Sequence, residues 1–427
     1  MNIGLKLFAG LLAVLVFQPI LVWNNPNLYL FAGVLVGLNQ ALETKRKGLQ
    51  PRQFIGYGLA LVLLAVGVLG PVISGFAIHD RHRIFGIPRM AERVEIPPLD
   101  ESTAPVVPRE VALASMNRML SAQGLSERYK IGVPVKQLFN RRLVWAAPLE
   151  ARGFLARVRS VPAPGYALVD ANDIRAARLV PVDIEVSDEA LFGLDSRVWF
   201  QHPSFDVFGW YFEVDNTGRP HWVGILAHRT VGFRGYEVAG AVTVDVTTGA
   251  QRVYARDEIP RWVNNKFPME LVIRQLNAAG DEAGGVFSFS DRSKFELSSP
   301  LSMVYFDDRA WYEGALSDLD DQLGIREVVM VNTEDKTVRR IWLPGLTDDQ
   351  ASAVLISHAP IQGLMTSTPV LFEVDGRPAY IASLYDSLGN IQAYGIVAQT
   401  DDRVFALGKT LHEARERFDD AVPSVEH

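Results

Sequence analysis

Apolar and polar positions alternate in short runs through most of the chain after residue 128, and these runs recur as four similar copies. Each copy opens with an apolar strand, a tight polar turn and a second strand that carries an aromatic residue. Asp, Asn and Gly favour the backbone angles of tight hairpin loops, and β-branched and aromatic residues favour strands. The pattern therefore predicts one hairpin at the start of each copy: Leu138–Trp145, Phe212–Trp222, Val304–Trp311 and Phe372–Tyr380.

A second hairpin is predicted later in each copy, and in the second copy its first strand is clearly amphipathic. Val242, Val244 and Val246 alternate with polar neighbours, which predicts one strand face on a core and the other in water. The four second hairpins are Tyr166–Val180, Val242–Tyr254, Val328–Trp342 and Ile396–Leu407.

Two copies end in the same helix-start signature. Thr347 precedes Gln350 by three residues, and Thr410 precedes Glu413 by three. At this spacing the hydroxyl of an N-cap residue and the side chain three positions later bond each other's backbone amides. We therefore expect these four residues to cap the helices that follow the third and fourth copies.

The apolar face of each sheet needs a cover, and the helix that follows it is the expected one. In the second copy this helix is predicted from about Pro260 or Pro268 to Ala279, where Gly280 stops it. The first copy has no clear helix of its own, so we expect it to use the one predicted at Arg109–Gln123.

The predicted fold class is α+β: N-terminal transmembrane helices followed by about four tandem units, each an antiparallel β-meander backed by a helix. Prolines at 97, 98, 105 and 108 predict an extended stalk between membrane and repeats. The predicted segments are 1–80 (two or three membrane helices), 81–128 (Pro-rich stalk and helix), 129–190, 200–285, 286–362 and 363–420 (repeats 1 to 4), and 421–427 (tail).

The N-terminal region contains three apolar runs. Ile3–Trp23 and the uncharged Phe54–Ile78 are each long enough for a hydrocarbon core of about 30 Å, and Leu28–Leu42 is near the lower limit. We favour three spans. The basic loop Glu43–Lys47, followed by Arg52, is expected to stay cytoplasmic, which places residues after about 79 on the periplasmic or extracellular side of a cell (inner) membrane.

The charge is unevenly distributed between these parts. Residues 1–90 hold eight Lys or Arg and two Asp or Glu, a net of +6, so the −7 of the whole chain leaves about −13 on the remainder. An acidic exported part disfavours nucleic acid as a partner. The expected partners are membrane lipid, through the N-terminal helices, and a protein of the envelope.

The segment Val242–Gly249 consists of a strand, an aspartate and a Thr-Gly turn. It resembles the corresponding part of PepSY-type domains, small exported units of bacterial membrane-anchored proteins. The third copy has Asn332 and Lys336 at the Asp and Gly positions, and the fourth has Gln399 and Arg403. The resemblance implies a role in restraining or assisting an envelope peptidase, and it carries over no catalytic residue.

Residue sets that could bind a metal have simpler interpretations. His79 to Arg83 combines two imidazoles with a carboxylate, but no further ligands with zinc-like spacing accompany it, so we interpret it as a polar collar at the membrane interface. Asp318, Asp320, Asp321 and Asp335 lack the glycine and final glutamate of a calcium loop, so we interpret them as a solvated acidic loop.

No sequence motif points to catalysis. The chain has no cysteine, no Gly-x-Ser-x-Gly elbow, no phosphate-binding loop and no dinucleotide fingerprint. We therefore predict no catalytic, cofactor-binding or metal-binding residue. The aromatics Trp145, Trp222, Trp311 and Tyr380, one per copy, are interpreted as core residues rather than a ligand ladder.

Three functional hypotheses follow. The first is a membrane-anchored envelope protein whose exported repeats bind or scaffold other proteins, since repeats with open hairpin edges offer docking surface. The alternative, from the PepSY resemblance, is a regulator or inhibitor of an envelope peptidase. A third is an enzyme whose site forms between repeats from residues distant in sequence.

Overall fold

A computed structural model describes residues 10–14, 18, 20–75, 92–93, 96–153, 161–173, 177–186, 193–281, 294–298, 300–318 and 324–421. The chain divides into two compact units. The smaller consists of Met1–Gly86, Leu191–Phe208 and Leu226–Gly240, and the larger of Ile87–Ala190, Gly209–Ile225 and Ala241–His427.

The elements are named in chain order. The helices of the described chain are α1 (Pro26–Lys47), α2 (Pro51–Gly75), α3 (Arg109–Ala122), α4 (Leu194–Gln201), α5 (Met269–Asp281), α6 (Asp348–Ser357) and α7 (Leu411–Ala421). The first ten strands are β1 (Glu92–Arg93), β2 (Tyr129–Ile131), β3 (Val135–Phe139), β4 (Arg142–Ala151), β5 (Ala163–Asp170), β6 (Arg178–Ile184), β7 (Asp206–Val214), β8 (Pro220–Val231), β9 (Arg234–Asp245) and β10 (Gln251–Ala255). The remaining strands are β11 (Phe295–Leu297), β12 (Ser302–Phe306), β13 (Arg309–Asp318), β14 (Ile325–Asn332), β15 (Val338–Gly345), β16 (Met365–Thr366), β17 (Val370–Val374), β18 (Arg377–Tyr385), β19 (Ile391–Ala398) and β20 (Phe405–Gly408).

In the smaller unit, α1 and α2 form an antiparallel helix pair. Gly33 and Gly67 lie opposite Leu64 and Leu30, where a larger residue would collide with the facing helix. Among the described residues, α2 is the one helix long and apolar enough to cross a membrane. The predicted run 28–42 lies within α1, and most of the predicted run 3–23 lies outside the described residues.

The turn between β8 and β9 also belongs to the smaller unit, and it contacts the end of α2. The Phe233 amide donates a hydrogen bond to Ser74 Oγ (2.9 Å). Its ring packs edge-on against Tyr29 and Trp23, with centroids 5.7 and 6.5 Å apart. Gly70 leaves room for this ring, since a Cβ there would collide with it.

Four antiparallel sheets, each built on a four-strand meander, form the β structure. Sheet 1 contains β2 to β6, sheet 2 contains β7 to β10, sheet 3 contains β11 to β15 with β1, and sheet 4 contains β16 to β20. The two hairpins predicted in each copy are confirmed by this strand pairing. Within the larger unit the four sheets follow one another as a four-bladed, propeller-like ring. Sheet 2 takes part in this ring through residues 209–225 and 241–255.

The prediction that one face of each strand is exposed to water is wrong for the central strands. Val242 and Val244 are fully buried, and Thr243 between them is only 5% exposed. Residues 310–317 of β13 and 143–150 of β4 are likewise buried at every position. Both faces are covered because a blade of a ring has a neighbouring blade on each side.

The predicted pairing of each sheet with the helix that follows it is wrong for the second and third copies. α5 follows sheet 2 but packs on sheet 3, where Asn277 Oδ1 accepts a hydrogen bond from Leu297 N (3.3 Å). α6 follows sheet 3 but packs on sheet 4, where Leu355 lies against Gly395. α5 and α6 therefore cover the next sheet along the chain. The prediction is confirmed for the other two copies: α7 packs on β19 and β20 of sheet 4, which it follows, and α3 packs on sheet 1.

The predicted stalk is wrong for residues 96–108, which we call the strap. The Leu99 amide bonds the Glu373 carbonyl of sheet 4 (2.8 Å), and the Val107 amide bonds the Ala171 carbonyl of sheet 1 (2.9 Å). Upstream, β1 pairs in parallel with β15 of sheet 3. The prolines keep the strap extended, as predicted. The other residues of the strap use their backbone amides and carbonyls to join sheet 4 to sheet 1.

Candidate functional site

The four aromatics that recur in the copies are all buried in the structure. Their exposed fractions are 9% for Trp145, 5% for Trp222, and 2% each for Trp311 and Tyr380. Each polar group donates a hydrogen bond to a backbone carbonyl: Trp145 to Val107 (2.9 Å), Trp222 to Val186 (2.9 Å), Trp311 to Phe306 (3.0 Å) and Tyr380 to Leu346 (3.1 Å). Three of these carbonyls lie in segments leading into sheets 1, 2 and 4, so these side chains attach incoming chain to the sheet.

The helix-start residues form one complete and one partial capping arrangement. Thr347 Oγ1 accepts from Gln350 N (3.1 Å), and Gln350 Oε1 accepts from Thr347 N (2.9 Å). Thr410 Oγ1 accepts from Glu413 N (3.1 Å), but the Glu413 carboxylate accepts from Lys409 N instead of the Thr410 amide (2.7 Å). Both hydrogen bonds of the expected capping box are therefore made at α6. At α7 the Thr410 bond is made, but the bond to the Glu413 carboxylate comes from the residue before the expected one.

We expect Thr347→Ala to lower the free energy of unfolding by about 1–2 kcal/mol, because it leaves a buried helix start uncapped. Thr410→Ala should cost less, about 0.5–1 kcal/mol, because Thr410 is exposed and water can replace its hydroxyl. Urea denaturation of the two variants, measured side by side, checks this order. Equal losses, or a larger loss for Thr410→Ala, would contradict it.

Buried polar side chains join neighbouring sheets inside the ring. Gln137 of sheet 1 is fully buried; its Nε2 donates to Phe212 O (3.2 Å), and its Oε1 accepts from Val214 N (2.7 Å). The amide thus pairs with β7 as a neighbouring strand would. Nothing in the sequence distinguished Gln137 from an ordinary strand-edge glutamine.

Glu213 forms the next link of this kind. It is fully buried and accepts hydrogen bonds from Asn264 N (2.6 Å), Asn265 N (3.0 Å) and Asn265 Nδ2 (2.8 Å). Asn265 Oδ1 in turn accepts from Tyr312 Oη of sheet 3 (3.2 Å). Burial raises the pKa of Glu213, while the bonds from the two asparagines oppose the rise.

Glu313 links sheets 3 and 4. It lies on β13 with an exposed fraction of 6%, and its carboxyl group accepts from the Leu371 amide of β17. Burial raises the pKa of Glu313 to about 8, and the nearby Asp348 carboxylate adds to the rise. The side chain is therefore mostly protonated at neutral pH.

A cleft of about 410 Å³ is the candidate ligand site of the larger unit. One wall comes from Arg256, Asp257 and Ile259 after β10, and another from Lys266 and Phe267 before α5. The turn between β14 and β15 lines it with Glu334 and Asp335. The volume lies within the range of small-molecule sites. Sequence reasoning missed this cleft because its walls are far apart in the chain.

The candidate metal ligands do not assemble into a site among the described residues. Asp318 pairs with Arg326 (3.0 Å), and Asp335 pairs with Arg309 (3.1 Å). Residues 79–83, 320 and 321 lie outside the described residues. In the part of the chain that is described, no group of three His, Asp or Glu residues could hold a metal ion.

No protein-family model and no curated protein matches the chain. Among solved structures, it is similar to the GH32 beta-fructofuranosidase BmSUC1 of Bombyx mori, with 13% identity over 68% of this chain and 53% of that one and a TM-score of 0.20. It is also similar to cobalt-substituted Synechocystis ACO, with 9% identity over 63% and 48% and a TM-score of 0.16. The chain spans about half the length of these proteins, and at such scores neither likeness carries an argument about fold or function.

Proposed function

We propose that the chain is a membrane-anchored envelope protein whose ring of four sheets binds another protein. The observation that carries this proposal is the exposure of three large apolar side chains in one short segment, Ile356, Ile361 and Met365, which we call the apolar patch; their exposed fractions are 47%, 54% and 43%. Ile356 lies on α6 and Met365 on β16, and these two elements are in contact. Clustered large apolar side chains at a surface are typical of protein interaction sites.

Strand geometry limits the mode of docking at this patch. β16 is a two-residue strand at the end of sheet 4, paired with β18 through Met365 and Thr366. An edge strand this short offers few free backbone groups for strand addition. A partner would therefore bind by packing apolar side chains on Ile356, Ile361 and Met365.

Membrane lipid is the second proposed partner, through the smaller unit. α2 is uncharged from Phe54 onwards, and Trp23, Tyr29 and Phe233 cluster at the end that carries Ser74. Aromatic side chains are enriched where a span leaves the hydrocarbon core. Lys45, Arg46 and Lys47 end α1 beside the opposite end of α2, which favours that end as the cytoplasmic one.

The absence of cysteine allows a direct test in intact cells. Ile361→Cys introduces the only thiol, which is labelled with a membrane-impermeant maleimide that carries a photo-crosslinker. We expect labelling from the envelope side and a discrete crosslinked product. Leu388→Cys is the matched control, since Leu388, in the turn between β18 and β19, is 71% exposed and lies outside the patch.

The outcomes separate location from binding. Labelling of both cysteines only after the membrane is opened would overturn the envelope location. Crosslinked products from both positions, or from neither, would overturn docking at the patch. A product from Ile361→Cys alone that disappears when Ile356 and Met365 are changed to serine would support it.

The PepSY-type regulator is the second candidate, and the turn after β9 is the observation that favours it. The Asp245 carboxylate accepts from Thr247 N (3.0 Å) and Thr248 N (2.8 Å), and Gly249 has a φ of +70°. The aspartate of the resembling segment thus accepts the amide hydrogen bonds of the turn, and its glycine adopts the positive φ that the turn requires. Loss of the protein would then change proteolysis in the envelope, whereas loss of a purely scaffolding subunit would not.

A further inference from the structure

The cleft between sheets 2 and 3 contains a lysine that lacks a partner. Lys266 is only 8% exposed, lines the cleft, and makes no hydrogen bond or ion pair with the described residues. Burial lowers the pKa of Lys266, and the Glu334 carboxylate partly offsets this. The carboxylates of Glu334, Asp335 and Glu213 act on Lys266 electrostatically without forming an ion pair with it, so its Nζ can bind an anion brought in from outside.

The same cleft also presents a free negative charge. Glu334 is half-buried on the turn between β14 and β15, and among the described residues its carboxylate has no hydrogen-bond partner. Asp335 beside it is already paired with Arg309. At buried or half-buried positions the cleft therefore offers one cation, Lys266, and one anion, Glu334, whereas Asp257 on its other wall is exposed.

Two apolar side chains also line the cleft. Ile259 and Phe267 line the cleft with exposed fractions of 5% and 3%. Two cationic groups make cation–π contacts with the Phe267 ring: the Arg256 guanidinium lies 5.1 Å from the ring centroid and the Lys336 ammonium 5.2 Å from it. A ligand with an apolar side group would fit such a wall better than a bare inorganic ion would.

We propose that this cleft binds a zwitterionic amino acid or dipeptide, with its carboxylate on Lys266 Nζ and its ammonium group on the Glu334 carboxylate. Both ends of such a ligand satisfy a charge that the protein leaves unpaired. The volume of about 410 Å³ accommodates either size. This site is separate from the apolar patch of α6 and β16, and it does not depend on the proposed protein partner.

Calorimetric titration of the full-length chain in detergent micelles tests the proposal. The probes are L-leucine, the dipeptide leucylglycine, and two half-ligands, isocaproate and isoamylamine, which lack the ammonium and the carboxylate respectively. We expect at least one zwitterion to bind, and each half-ligand to bind tenfold or more weakly. Lys266→Gln and Glu334→Gln should each weaken binding of the zwitterion by about tenfold to a hundredfold, since each removes one charged hydrogen-bond partner.

Lys409→Gln is the matched control, because Lys409 is exposed and outside the cleft. It should leave the affinity unchanged. Glu334→Gln keeps the test decisive if the buried Lys266→Gln variant folds poorly, since Glu334 is half-buried on a turn. The proposal is overturned if neither zwitterion binds, if isocaproate or isoamylamine binds as tightly as the zwitterion that binds best, or if Glu334→Gln binds that zwitterion as the wild type does.

Discussion

The free energy of unfolding of the wild-type chain should fall as the pH rises from about 4.5 to about 8, and Glu313→Gln should remove much of this fall. The pKa of Glu313 is raised from 4.5 to about 8 in the folded chain by burial and by Asp348. Between these values the unfolded chain loses a proton that the folded chain keeps. Stability from this group is therefore complete below pH 4.5, and it is lost as the pH passes through the folded pKa.

The expected size of the effect follows from the same shift. Each pH unit within the window costs about 1.4 kcal/mol, so the whole window has an upper value of about 5 kcal/mol. Glutamine has nearly the shape of the protonated acid and cannot ionise. The variant should consequently match or exceed the wild type in stability near pH 8.

Urea denaturation of the full-length protein at several pH values gives the measurement. Glu373→Gln, at a half-buried position on β17, is the matched control and should keep the wild-type slope. Glu213 remains in every variant and contributes a fall of the same sign, since burial raises its pKa as well. Parallel curves for Glu313→Gln and wild type would show that Glu313 ionises freely in the fold.

Local sequence rules predicted the hairpins well because each hairpin depends on neighbouring residues. Asp215, Asp245 and Asn332 all accept amide hydrogen bonds from the turn that they begin. Lys336 and Asp375 occupy turn positions with φ values of +62° and +50°. Turn chemistry of this kind is visible in the order of residues, without knowledge of the rest of the fold.

The assignment of α5 to sheet 3 and of α6 to sheet 4 needed information that the sequence pattern does not contain. The sequence of an amphipathic helix shows that the helix has an apolar face, but it does not show which sheet covers that face. Gly395 makes the difference at α6, since its missing side chain admits Leu355 to sheet 4. Ring closure hides both faces of the strands, so Thr243 is buried where alternation predicted water.

The candidate site was hidden from sequence reasoning for a related reason. Lys266 and Glu334 are 68 positions apart, and each alone is an ordinary charged residue in a polar segment. Only the adjacency of sheets 2 and 3 brings them to one cleft. Glu313 gave a weak signal, as a lone acid between apolar residues on β13, but such an acid is equally typical of a solvated strand face.

Closure of the ring should depend on Trp145, and Trp145→Ala should lower the free energy of unfolding by about 3–5 kcal/mol. Trp145 is 9% exposed, and its indole donates to the Val107 carbonyl of the strap. The Lys136 ammonium lies 5.0 Å from the ring centroid and contributes a further contact. Alanine removes the aromatic volume and leaves a buried carbonyl without its donor.

Two further variants divide this loss into its parts. Trp145→Phe keeps most of the ring but loses the hydrogen bond, so it should cost about 1–3 kcal/mol. Trp342→Ala is the matched control: Trp342 is 56% exposed on β15, and its removal should change stability by no more than about 0.5 kcal/mol.

Hydrogen exchange distinguishes release of the strap from a general loss of stability. The amides of Leu99 and Val107 bond carbonyls of sheets 4 and 1, so their exchange reports directly on closure. In Trp145→Ala both should exchange faster by a larger factor than the Val329 amide on β14, which lies between two paired strands of sheet 3. If the exchange rates of the three amides rise by the same factor, the ring unfolds as one body. That result would contradict a separate role of the strap in closing the ring.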